Sequence, residues 1–185
     1  MTNSANINID MNTVHHCPGS GIFCNKCDNT TISYNKVYGN TWWTTRAPSG
    51  IVFSDSEGDG HNIIANNVVY GNRNFMPLYI TVEPAHGGSG MPDYGKWNQT
   101  YIIDGQGICL TRQPDYKGTF TIQYNTAFDN GINGLVVQKT TNSDVKITIQ
   151  YNKIFDNGRT SREYEHRQNA GGVVINSGGD YFTSR

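Results

Sequence analysis

Five residues after Gly21, Gly50, Gly107 and Gly134 stand Lys26, Asp55, Arg112 and Lys139. A lysine or arginine at such a recurring place can serve as the base in β-elimination from a uronic acid, with neighbouring cations neutralising the substrate carboxylate. Arg112 and Lys139 fit these two roles, and Lys26 is a third cation of the row. Read structurally, the same row is a surface ladder of offsetting charges, each pair worth about 1 kcal/mol or less. Beside it, SDSEGDGH at 54 to 61 alternates Asp55, Glu57 and Asp59 ahead of Gly60, in the manner of a calcium loop. Calcium takes about six to eight oxygens, and Asn66 stands where an EF-hand supplies its bidentate Glu, so the metal reading is an irregular calcium site. Two carboxylates roughly 5 to 9.5 Å apart would suit glycoside hydrolysis, and Asp55 with Glu57 or Asp104 are the candidates.

The histidines His15, His16, His61, His86 and His166 show no pairing at metal-ligand spacing. CNKC, with Cys24 and Cys27, has the two-residue spacing of zinc and redox sites, yet no second such pair completes a ligand set. With Cys17 and Cys109, the four cysteines read as a disulfide, such as Cys17 with Cys24 or Cys27, or as buried thiols.

Aromatic and charged side chains concentrate in residues 41–49, 73–106 and 158–170. Stacking rings mixed with cations and carboxylates suit a polar, ring-shaped ligand such as a sugar. Trp42, Trp43, Arg46, Arg73, Tyr94, Lys96 and Trp97 are the candidate contacts, although Trp42 and Trp43 serve equally well as a lid on a core.

What positions these groups is a repeat. TIQYNTAFDN at 121–130 returns as TIQYNKIFDN at 148–157, and TISYNKVYGN at 31–40 and IIANNVVYGN at 63–72 are looser copies. Alignment gives one column of Asn12, Asn35, Asn67, Asn125 and Asn152, and a second of Asn40, Asn72, Asn130 and Asn157. A glycine column, Gly21, Gly50, Gly107, Gly134 and Gly172, precedes them. Short strands punctuated by Gly and Asn, without helical periodicity, predict an all-β fold, a parallel β-helix of about five coils. A propeller blade needs about 40 residues for four strands, more than the shortest repeat provides. Stacked asparagines then form amide ladders, and rows of Ile32, Ile64, Ile122 and Ile149 and of Val37, Val69, Ala127 and Ile154 fill a narrow core.

The whole chain reads as one such domain, with all three insertions leaving one corner between the second Asn column and the next Gly. A further row, Phe23, Val52, Cys109, Val136 and Val174, points outward as an apolar stripe that the long insertion or another chain must cover. The solenoid ends lack an obvious cap, which fits a fragment, self-association, or ends covered by another chain.

Composition narrows the partners. The net charge is -1 with 16% charged residues, so there is no basic stripe for nucleic acid. No apolar run of the length that spans a membrane is present. The N-terminus lacks the pattern of a signal peptide, and the sequons at Asn29 and Asn98 accord with an extracellular setting.

HHCPGSGI, NKVYGNTWW, NNVVYGNRN, DGQGI, YNTAFDNGINGL and YNKIFDNG together resemble secreted right-handed parallel β-helix repeat proteins of the pectate-lyase-like superfold, over about His15 to Ile175. The resemblance implies secretion and an extracellular, carbohydrate-active protein, first of all a polysaccharide lyase on an acidic glycan. It places Asp55 as a calcium carboxylate and Arg112 or Lys139 as the base. A non-catalytic structural or adhesive surface protein is the alternative, since Asn25, Ser54, Thr111, Gln138 and Asn176 stand where a lyase gathers several carboxylates.

Overall fold

The computed structural model describes residues 2–44, 48–77, 101–140, 144–159 and 171–176. Its strands are short: β1 (Thr2–Asp10), β2 (Thr13–His15), β3 (Ile22–Ser33), β4 (Lys36–Tyr38), β5 (Ser49–Ser54), β6 (His61–Ala65), β7 (Val68–Tyr70), β8 (Asn74–Pro77), β9 (Tyr101–Asp104), β10 (Gln106–Thr111), β11 (Thr119–Gln123), β12 (Thr126–Phe128), β13 (Leu135–Gln138), β14 (Lys146–Gln150), β15 (Lys153–Phe155) and β16 (Val173–Asn176). One path runs β14-β11-β6-β3-β5-β10-β13-β16 with β1 beside β3, and a five-stranded sheet runs β15-β12-β7-β4-β2. Like letters lie over like letters: Ile32 pairs with Ile64 and Ile64 with Ile122, while Val37 pairs with Val69.

The chain turns three times per coil, each time through a residue of left-handed backbone. Tyr34, Asn66, Tyr124 and Tyr151 make one such corner, and Gly39, Gly71, Asp129 and Asp156 the next. Lys26, Asp55, Arg112 and Lys139 make the third, at φ of 54, 52, 49 and 55°. A left-handed L-residue costs about 1–2 kcal/mol, so the coil must offset it elsewhere. The asparagine ladders do so. Asn35 donates its backbone N–H and its Nδ2 to Asn67 Oδ1 at 2.9 and 3.0 Å, Asn67 repeats both bonds to Asn125, and Asn125 to Asn152. The second column, Asn40, Asn72, Asn130 and Asn157, is bonded in the same way.

Inside, Ile32, Val37, Ile51, Phe53, Ile64, Val69, Ile108, Leu110, Ile122 and Leu135 are buried in one continuous cluster. The glycine column is steric in origin. A Cβ on Gly107 would stand 2.4 Å from the Gly134 carbonyl oxygen, and one on Gly50 2.9 Å from that of Gly107.

The outward stripe is covered, as its apolar character requires: Val52, Cys109 and Val136 form a second buried cluster, while Phe23 is half exposed. Two features differ from the sequence reading. A second corner also varies in length, because β3 runs unbroken where later coils place residues 55–60 and 112–118 between strands. Finally, the insertion at 73–106 is rooted in a two-stranded antiparallel ribbon, β8 with β9, in which Asn74 faces Asp104. The four cysteines are free thiols, three of them buried. Among the described residues no helix is long and apolar enough to cross a membrane.

Candidate functional site

The outer face of the β5–β10–β13 sheet lies between two corners that carry most of the candidate residues. At one, Lys26, Asp55, Arg112 and Lys139 stack in successive coils, as the Gly spacing requires. Asp55, Arg112 and Lys139 each follow the last residue of a strand, and of the four Lys26 alone lies within one. The left-handed backbone at this place rotates the side chain out of the sheet, which explains their exposure.

Their charges are already matched. Arg112 Nη2 is 2.9 Å from Asp55 Oδ2 and 3.4 Å from Ser54 Oγ. Lys26 Nζ is 2.5 Å from Glu57 Oε1. Lys26 therefore pairs with Glu57, not with Asp55 as its column would suggest, and this contact raises the pKa of the lysine. Lys139 is exposed and has no ion pair among the described residues. The Asp55 carboxylate also accepts from Ser54 Oγ at 2.6 Å.

The calcium set does not converge. Asp55 and Glu57 are each bonded to a cation, and among the described residues no group of three or more His, Cys, Asp or Glu side chains could hold a metal ion. Asp59 lies with Asp28 near the buried Tyr116, whose hydroxyl donates to the Gly60 carbonyl at 2.9 Å and whose pKa is raised by burial and by the Asp28 charge. These residues build a loop anchor, and they do not fit calcium as arranged. Nor do Asp55 and Asp104 suit glycoside hydrolysis. They stand at opposite ends of the β5–β10 pair, and the six residues of β10 span roughly 20 Å. Glu57 is tied to Lys26, leaving the other proposed partner of Asp55 in an ion pair.

At the opposite corner, Trp42 and Trp43 are 49% and 56% exposed, so each keeps about half its surface open to solvent. Trp42 Nε1 donates to the His16 carbonyl at 3.1 Å and Trp43 N–H to that of Pro18 at 3.0 Å. Arg73 is part of a clamp: its Nη2 is 2.5 Å from Asp129 Oδ1, which Arg159 also approaches at 3.3 Å. Arg46, Tyr94, Lys96 and Trp97 lie outside the described residues.

A feature absent from the candidate list is a ladder of rings on the outside of the five-stranded sheet. His15, Tyr38, Tyr70, Phe128 and Phe155 stack with centroids 4.9 to 5.2 Å apart and nearly parallel planes. Lys36 Nζ lies 5.2 Å from the Tyr38 ring centre, within cation–π range. The signal was in the repeat, whose Y/F column precedes the second Asn by two residues.

Stacked parallel coils, left-handed corners and continuous amide ladders define a parallel β-helix solenoid. The family model "Right handed beta helix region" matches residues 1–146, and the chain belongs to that family. No curated protein and no solved structure matches the chain.

Proposed function

We propose that this β-helix is an extracellular, carbohydrate-active protein that binds an acidic polysaccharide without cleaving it, through the exposed Lys26–Arg112–Lys139 corner and the Trp42–Trp43 corner. The observation that carries the reading is the ion pairing of the cationic row. Glu57 raises the affinity of Lys26 for its proton, and an arginine in a protein does not give one up, so neither is suited to act as a base. Both remain able to bind carboxylates. Arg112 uses one nitrogen on Asp55 and presents the rest of its five-donor fork to solvent. The half-exposed indoles offer flat faces to sugar rings.

A second reading, a polysaccharide lyase working by β-elimination, is favoured by one observation: Lys139 stands next to Arg112 in the stack, exposed and without a carboxylate partner among the described residues. Lys139 would then take the proton and Arg112 would hold the uronate carboxylate. Titration with polygalacturonate, alginate and a neutral glucan, with and without chelator, separates the two. Non-catalytic binding predicts saturable, salt-sensitive binding of an acidic glycan that weakens in Arg112→Ala, with no rise in unsaturated-uronate absorbance. A rise that disappears in Lys139→Ala would establish the lyase instead. Absence of binding to every acidic glycan would contradict both.

A further inference from the structure

We infer that His15 and His16, beside the Trp42 corner, form a binding site for a late first-row divalent metal ion. The two Nδ1 atoms lie 2.8 Å apart, with the rings at 89° to each other. Adjacent residues on a regular strand point to opposite faces, so neighbouring histidines would not meet. Here they meet because His16 occupies the left-handed corner position, at φ 56°.

The pair is held from several sides. His15 is fixed by β2 pairing with β4, in register with Tyr38. Its ring lies on the Tyr38 ring at 5.1 Å and 15°, while His16 meets the same ring edge-on at 5.9 Å. Trp42 Nε1 holds the His16 carbonyl. Both imidazoles are exposed, so solvent and ions reach them.

The separation suits a shared metal. Two nitrogens 2.8 Å apart, each about 2.0–2.1 Å from a common ion, subtend about 84–89°. That is the angle between adjacent ligands in octahedral or tetragonal coordination, whereas a tetrahedral ion would hold them about 3.3 Å apart. Nickel(II) and copper(II) take imidazole in such geometry. Water would complete the shell. Without metal, one Nδ1 carries the proton that the other accepts; with metal bound through both Nδ1 atoms, that ring holds its proton on Nε2 instead, so each imidazole stays neutral and keeps one ring proton. Lys36 lies over the Tyr38 ring on which the pair packs, and the Cys17 thiol donates to the His15 carbonyl at 3.8 Å.

The test is calorimetric titration of the full chain with Ni2+ at pH 7.5, chosen over Cu2+ because the free thiols would reduce copper. About one equivalent should bind saturably and quench Trp42 emission, a signal that Trp42→Phe removes. His16→Asn, which tolerates the left-handed backbone, and His15→Gln should each abolish that equivalent while the circular dichroism stays native. His61→Ala should leave it intact. Undiminished nickel binding in His16→Asn, or no saturable binding by the native chain, would overturn the inference, the latter meaning that the contact is a proton-sharing hydrogen bond only.

Discussion

Asn67 stands in the middle of its ladder. Its Nδ2 donates to the carbonyls of Ile32 and Ala65 and to Asn125 Oδ1, and its own Oδ1 accepts two bonds from Asn35. Asn67→Ala leaves several buried groups without partners, at about 1–3 kcal/mol each, so it should destabilise by about 3 kcal/mol or more. Asn12, at the exposed end of the same column, should cost under about 1 kcal/mol when changed to Ala. Urea unfolding of the two variants compares them directly, and equal midpoints would contradict the ladder. Burial pushes the Cys24 and Cys109 thiols from 9.0 up to about 12, with Cys27 adding to the effect at Cys24. These thiols keep their protons in the folded chain while the unfolded chain loses them near pH 9. Their contribution to stability is therefore complete below about pH 9 and is lost as pH rises towards 12. The urea midpoint should fall between pH 8 and pH 10.5, and less so in Cys109→Ala; a flat profile would place these thiols in water.

Among the elements, the strands and their register were legible because each coil repeats its letters, and a stack aligns identical letters without further information. The corners were less so. Nothing in Lys26, Arg112 or Lys139 announces a left-handed backbone, since the requirement comes from coil closure and not from the residue; Gly39 and Gly71, and to a lesser degree Asn66, Asp55, Asp129 and Asp156, show the usual preference. The side-chain partner of Lys26 was hidden for the same reason: Glu57 belongs to a loop whose course the repeat does not specify. The outward row of Val52, Cys109 and Val136 was readable as apolar and as needing cover, because a continuous apolar strip is not left to water, and it is buried. The glycine column gives a test at this level. Gly107→Ala drives a Cβ against the Gly134 backbone and should cost about 1–3 kcal/mol, whereas Gly19→Ala, with nothing within 4 Å, should be nearly neutral. Indifference at Gly107 would mean looser coils than described.

For the molecule as a whole, the amide ladders, the ring ladder and the apolar rows run parallel to one axis. Each coil is thereby secured mainly by its neighbours, as in other solenoids. The frame is shared by the family and does not define a chemistry; that belongs to what its corners carry. Val173 and Ile175, in register with buried Leu135 and Val137, are 48% and 67% exposed, so core positions near the last described strand are more open than those in the middle. The stacking itself is open to solution NMR. If the coils are wound as described, nuclear Overhauser contacts will join the Asn67 amide protons to those of Asn35 on one side and Asn125 on the other, 32 and 58 residues away, with slow solvent exchange at all three. Fast-exchanging asparagine amides with contacts only to sequence neighbours would contradict it.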